Sequence, residues 1–295
     1  MSATTHPRSE QAQLGIAMVL GAWFLFSVVD TSVKWLLLAG LPALQLAFMR
    51  YAGHLALAVV FLGRSRVADM RIIGRALQLV VLRALLLVAA TALNFIALKF
   101  LSLTVTSAIM FSTPIIVAFL SVPILGERVG PWRWFAIGVG FVGVLIVIQP
   151  FGVAFHWATL LPLHNAASLA LYSIITRKLA GEVSTEVMQL YMGIIGTVVM
   201  APFAVLNWVP PTNLLDWVLL VGVGVFGWAG HELMTRSHWY APASTLMPFM
   251  YTFILYLTLA SFVIFNEVPA SSTFLGAGIV ILSGLIIWVR EQRNA

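Results

Sequence analysis

Long apolar runs, each closed by a short cluster of glycine, proline or charge, follow one another along the whole chain. They predict ten helices, over 14–38, 42–62, 73–98, 102–125, 132–149, 157–178, 187–208, 214–235, 242–265 and 271–289. Most runs approach the length of about 20 apolar residues that a helix needs to cross the hydrocarbon of a bilayer. The connections are mostly short and leave no room for a soluble domain. Residues 1–13 read as a polar tail. The first run is too long for a signal h-region and has no small-residue cleavage site, so it is a retained helix.

Composition sharpens this picture. Of 295 residues, 61% are hydrophobic and 9% charged, where a soluble domain carries about 25% charged residues. That excludes a cytosolic enzyme and a disordered chain, and the absence of cysteine excludes a disulfide scaffold. The fold class is therefore all-α and integral to a membrane. The net charge of +6 sits in short clusters between apolar runs, a topology signal rather than a surface for nucleic acid. With the N-terminus cytoplasmic, the inner segments hold Arg8, Arg64, Arg66, Arg71, Arg75, Arg128, Arg133, Arg177, Lys178, Arg236, Arg290 and Arg293, 12 of the 16 cations. Both termini are thus expected in the cytoplasm.

The halves echo each other. Pro114 interrupts a run that ends Leu125-Gly126-Glu127-Arg128-Val129, and a helix with Gly138, Gly140 and Gly143 follows. Pro248 interrupts a run that ends Phe265-Asn266-Glu267-Val268-Pro269, and a helix with Gly276, Gly278 and Gly284 follows. Five helices per half is an odd number, so the second half must cross in the opposite sense. The expected organisation is a first repeat over 14–150, a second over 151–290 and a short tail at 291–295. Together they form two inverted five-helix repeats around a central cavity.

On the paired segments Pro114–Glu127 and Pro248–Glu267, and on Trp23 through Lys34, nearly the whole chain resembles the drug/metabolite transporter superfamily in its EamA-type branch. The stretch from Pro248-Phe249-Met250-Tyr251 to Pro269 looks most like the YddG-type amino-acid exporters. That resemblance implies export of aromatic and other neutral amino acids across the bacterial inner membrane.

Ionisable groups inside spans are costly in hydrocarbon and mark cavities or partners. Trp23, Ser27, Asp30 and Lys34 are spaced four, three and four apart and share a helix face. They form either a substrate-facing wall, with Asp30 meeting an ammonium group, or an i,i+4 Asp30–Lys34 pair that neutralises itself. Arg83, Thr91 and Asn94 share a face of the third helix, and Arg50 lies deep in the second with His54 one turn on. Arg50, Arg83 and Lys34 outnumber Asp30, so the middle of the first half should attract a carboxylate or phosphate. Alternatively, each arginine binds free helix-end carbonyls. His164, Asn165, Ser168 and Tyr172 make a polar patch on the sixth helix, suited to substrate or to interhelical bonds. Tyr51, Tyr191 and Tyr251 sit deep enough to line a pocket. Glu232, four residues before Arg236, reads as a structural pair. Glu127 and Glu267 read as caps of the helices that follow, or as gates, and Pro114 and Pro248 as hinges.

No phosphate-binding loop, zinc pair or cysteine cluster occurs in the sequence, so no ATP, metal or redox cofactor is expected. The expected activity is a secondary carrier of amino acids working by alternating access, as a monomer or weak homodimer, and not an enzyme. The alternatives are a carrier of phosphorylated metabolites, organic anions or drugs, an integral-membrane transferase, and an assembly scaffold.

Overall fold

Away from water a helix satisfies its own N–H and C=O groups, and all regular structure among the described residues is helical. The computed structural model describes residues 7–61, 72–125, 131–149, 155–179, 182–240 and 246–294. In chain order the helices are α1 (Pro7–Leu38), α2 (Ala43–Phe61), α3 (Gly74–Leu98), α4 (Leu103–Met110), α5 (Thr113–Leu125) and α6 (Pro131–Ile148). Then come α7 (Leu160–Leu179), α8 (Thr185–Leu206), α9 (Leu214–Tyr240), α10 (Thr252–Phe265) and α11 (Ser271–Asn294). Short 3-10 turns, Trp157–Thr159 and Met247–Tyr251, lead into α7 and α10.

Gln13–Leu38, Ala43–Phe61, Gly74–Leu98, Trp157–Thr176, Glu186–Leu206 and Leu214–Ser237 are long and apolar enough to cross a membrane. Shorter apolar helices, Leu103–Val117, Trp134–Ile148, Phe249–Phe265 and Ser271–Ser283, occupy the other four expected positions. Polarity is arranged inside out. Phe24, Leu82, Val198, Leu255, Leu259 and Phe262 are exposed, whereas Asp30, Lys34, Gln45, His54, Arg83 and Asn94 are buried. Lipid is the solvent that suits such an exterior.

Two expected spans are not continuous. The fourth breaks between α4 and α5 at Phe111 and Ser112. Pro114 has no N–H to offer the Met110 carbonyl, and the Thr113 hydroxyl donates to that carbonyl instead at 2.6 Å. Ser112 Oγ likewise donates to Ile109 O at 2.7 Å. The ninth begins as the 3-10 turn carrying Pro248 and becomes α-helical at Thr252. It ends at Asn266, whose left-handed φ of 54° stops α10.

The helices pack mainly across the two halves of the sequence: α1 on α9, α3 on α7, α2 on α8 and α9, and α6 on α11. α10 rests on α1 and α4, and α5 on α7. Small residues set the closest approaches. A Cβ on Gly53 would come 2.8 Å from Gly224 Cα, and one on Gly143 2.9 Å from the Gly276 carbonyl. The α2–α9 and α6–α11 contacts are therefore backbone against backbone.

These contacts predict opposite effects for two similar substitutions. Gly53→Ala should lower stability by about 1–3 kcal/mol, the usual cost of overpacking. Gly138→Ala, with nothing within 4 Å of the added carbon, should be neutral or stabilising by up to about 1 kcal/mol through helix propensity. Thermal unfolding in detergent checks both.

Candidate solute site and its closed end

Helix α1 turns Ser27, Asp30 and Lys34 inward, all buried. Asp30 and Lys34 take different partners, so the self-neutralising pair between them does not form. Asp30 Oδ2 accepts from Asn94 Nδ2 of α3 at 3.4 Å.

Arg50 links three helices. Its Nη1 donates to Thr91 Oγ1 of α3 at 2.6 Å, and its Nη2 lies 3.4 Å from His231 Nε2 of α9. The guanidinium also sits 5.7 Å from the centre of the Tyr51 ring. Around His231, Phe26 approaches edge-on at 5.0 Å and His54 at 5.9 Å between ring centres. Three buried atoms in this cluster have no partner among the described residues: Arg50 Nε, His54 Nε2 and Asn94 Oδ1. Such groups are costly to bury unpaired, so the cluster is a site with unspent hydrogen-bonding capacity.

Arg83 belongs to a separate cluster, although it shares a face of α3 with Thr91 and Asn94. Its Nε donates to Thr176 Oγ1 of α7 at 2.7 Å and its Nη1 to the Met188 carbonyl of α8 at 3.5 Å. Its Nη2 donates to the Tyr172 hydroxyl, and its guanidinium stacks 4.1 Å from the Tyr172 ring centre. It is 3% exposed, and all three acceptors are neutral oxygens. Tyr172 therefore serves Arg83.

At one end of the bundle, polar contacts join the two halves of the chain. Lys34 Nζ sits 2.6 Å from both carboxylate oxygens of Glu267 and also donates to the Leu101 carbonyl at 3.3 Å. Ser261 Oγ donates to Glu267 Oε2 at 3.0 Å, and the Phe265 ring lies under the ammonium at 5.2 Å. At the same end, Trp35 Nε1 donates to Asp216 Oδ1 at 3.1 Å. The Gln45 side chain exchanges two hydrogen bonds with the Val209 backbone, at 2.8 and 2.9 Å.

Several expectations change. Glu267 does not cap the following helix, which starts at Ser271; an ammonium at contact distance outweighs a helix N-terminus one turn away. Lys34, neutralised there, leaves the count of mid-span cations. Tyr51 is 1% exposed, its hydroxyl donates to Leu87 O at 3.0 Å and meets Thr91 Oγ1 at 2.8 Å, and its ring fills the space beside Gly196. It packs and positions Thr91. Tyr191 lies half-buried beside the apolar cluster of Val80, Leu179 and Val187. Trp23 lies among aromatics, 5.7 Å from Phe26 and 5.3 Å from Phe253, and Tyr251 is 5.3 Å from Phe111. His164 is exposed, with Nδ1 3.4 Å from Ser168 Oγ, while Asn165 is buried and donates to Met110 Sδ at 3.3 Å. Glu232 pairs with Arg236 at 2.7 Å, as the spacing predicts. Pro114 and Pro248 stand at the two helix breaks. Glu127 lies outside the described residues.

By sequence His231 and Glu232 lie together about one turn from the cytoplasmic end of the eighth span. Spacing pairs Glu232 with Arg236, but nothing local in the chain links His231 to Arg50, which it meets only through the packing of α9 on α2. A shallow groove on the flank of α9, lined by Trp217, Val221, Gly222 and Phe226, is almost wholly apolar and holds none of these residues.

Residues 13–149 and 156–289 each match the EamA-like transporter family. The chain is 29% identical to a riboflavin transporter of Vibrio cholerae, covering 100% of this chain and 98% of the relative. It is 30% identical to an S-adenosylmethionine uptake transporter of Rickettsia bellii, over 92% of this chain and 94% of that one. It is 25% identical to a pseudopaline exporter of Pseudomonas aeruginosa, over 95% and 97%. A crystal structure at 17% identity shares the fold, with a TM-score of 0.65 over 97% of this chain and 99% of that one. The solutes in these names differ from the free amino acids that the sequence resemblance implied.

Breaking the Lys34–Glu267 contact should destabilise the folded protein. Because the Glu267 side chain is 37% exposed, water moderates the cost. Lys34→Met and Glu267→Gln are each expected to lose about 1–2 kcal/mol, below the roughly 3–5 kcal/mol of a fully buried pair. The double variant should lose less than the sum, measurable as a coupling energy in a thermal-unfolding cycle.

Proposed function

The chain belongs to the EamA-like transporter family, a family of membrane transporters and not enzymes, and from that premise we propose that it is a secondary carrier working by alternating access. Its solute is an organic metabolite with an aromatic or heteroaromatic part and polar groups of both kinds, donor and acceptor. The observation that carries this reading is the Asp30–Asn94–Thr91–Arg50–His231 cluster. It is assembled from α1, α2 and α3 of the first half and α9 of the second, with unpaired polar atoms among buried neighbours. Trp23, Phe26 and Phe253 form an aromatic group on the same helices or beside them. Aromatic amino acids fit this description. So do larger solutes such as riboflavin, with its heteroaromatic ring, and S-adenosylmethionine, which joins an amino-acid head to an adenine.

An inverted pair of five-helix halves is supported by two observations. The family match occurs twice, once in each half. Exchanging the halves also turns each main packing pair into another observed pair. The α1–α9 contact exchanges with α7–α3, α2–α9 with α8–α3, and α1–α10 with α7–α5, while α2–α8, α6–α11 and α4–α10 return themselves. In this reading the breaks at Pro114 and Pro248 are hinges. The Lys34–Glu267 bridge joins the first half to the second and acts as the gate of the end opposite the N-terminus. The carrier sits in the bacterial inner membrane with both termini cytoplasmic, as the lysine and arginine distribution favours, so this gate faces outward.

Solute counterflow in proteoliposomes tests the proposal with riboflavin, S-adenosylmethionine, tyrosine and a sugar phosphate as the panel. At least one solute should exchange, and Arg50→Gln or Asp30→Asn should slow it at least about tenfold, equivalent to about 1.4 kcal/mol, while the protein stays folded. Unchanged rates in both variants would remove the site. The gate has a cleaner test because the chain has no cysteine. Cysteines introduced together at Lys34 and Glu267 and bridged by a short reversible cross-linker should arrest exchange, and reduction should restore it. Undiminished exchange in the bridged protein rules out the gate.

A further inference from the structure

We propose that Arg50, His54 and His231 form the subsite for an anionic group of the solute, a carboxylate or a phosphate; this rests on the carrier reading above. Arg50 and His54 stand one turn apart on α2, and each keeps one buried ring or guanidinium nitrogen without a partner among the described residues, Nε in both senses of the name: Arg50 Nε and His54 Nε2. Arginine Nε–H can only donate, and His54 Nε2 donates in the tautomer protonated there. The His231 ring connects them, 3.4 Å from Arg50 Nη2 and 5.9 Å from the His54 ring centre. An acceptor with two or more oxygens is the chemistry that meets two unpaired donors one turn apart on the same helix.

The glycines of α9 add an independent observation. Gly224, Gly227 and Gly230 recur every third residue on the side of α9 that meets α1 and α2. Gly224 and Gly230 are required by packing, since a Cβ would come 2.8 Å from Gly53 Cα and 2.7 Å from the Phe26 ring. Gly227 is not. A Cβ there would meet only Arg50 Cγ and Nε, both at 3.5 Å, an ordinary contact distance. What glycine leaves at 227 is a methyl-sized space against the unpartnered Nε, at the seam between α2 and α9. Asp30, which accepts from Asn94 Nδ2, and the open acceptor Asn94 Oδ1 lie toward α1 and α3. The part of the solute next to its anionic group is therefore a cation or an N–H donor.

The test uses the full-length protein in detergent and in proteoliposomes. Benzoate and inorganic phosphate are the minimal probes. Tyrosine against tyramine, and flavin mononucleotide against riboflavin, are pairs differing in the anionic group. Thermal stabilisation should show the anionic member of at least one pair binding at least tenfold more tightly. Gly227→Ala should reduce that binding at least tenfold while melting no lower than wild type in the absence of ligand, and His54→Leu should also weaken it. Equal binding within both pairs, no stabilisation by any anion, or wild-type affinity in Gly227→Ala would overturn the subsite. Flavin mononucleotide or tyrosine exchanged equally by wild type and Gly227→Ala would overturn it and leave the carrier standing; no exchange of any solute by wild type would remove the carrier itself.

Discussion

A charge enclosed by apolar helices must find its acceptors or its counter-charge inside the protein, and this requirement organises the interior. Lys34, Arg50 and Arg83 all turn inward, each toward a different kind of partner. Lys34 finds a carboxylate at 2.6 Å. Arg83 spends its donors on neutral oxygens of α7 and α8. Arg50 has Thr91 and His231 and still keeps an unmatched nitrogen. The order from fully met to partly met separates roles as well as energies. A cation fully engaged across two helices ties them together, and one with a donor to spare can recognise something that comes and goes.

The same logic distinguishes the two ends of the bundle. At the end opposite the N-terminus, Lys34–Glu267, Trp35–Asp216 and Gln45–Val209 join residues between 164 and 233 positions apart in the chain. These are polar contacts at the rim of an apolar structure. They break at moderate cost where water can reach them, as it reaches Glu267, and apolar packing at the rim would not offer that reversibility. A carrier needs such contacts at its doors and rigid backbone contacts elsewhere. Gly53–Gly224 and Gly143–Gly276 meet the second need, because glycine lets one helix backbone lie directly on another.

The broken spans fit between these extremes. Pro114 removes one backbone donor, and Thr113 and Ser112 hydroxyls take over nearby carbonyls, so the helix breaks without leaving those acceptors bare. In the proposed cycle that is what a hinge requires: a helix already interrupted, with its hydrogen bonds held locally by side chains rather than by the helix ladder.

Much of this was written in the order of residues. Ten apolar runs, the doubling of the proline and glycine pattern, and the inward face of Trp23, Ser27, Asp30 and Lys34 follow from length and helical period, both local properties of the chain. The Glu232–Arg236 pair was equally legible, being four residues apart. Partnership across the bundle was not. Asp30 and Lys34, one turn apart, were natural partners by spacing, yet packing gave Lys34 to Glu267, 233 residues away, and His231 to Arg50 across 181. Helical periodicity states which way a side chain faces. Only the docking of one helix against another decides what it meets there, since interhelical contacts depend on crossing position, on where glycines permit close approach and on which charges reach each other first.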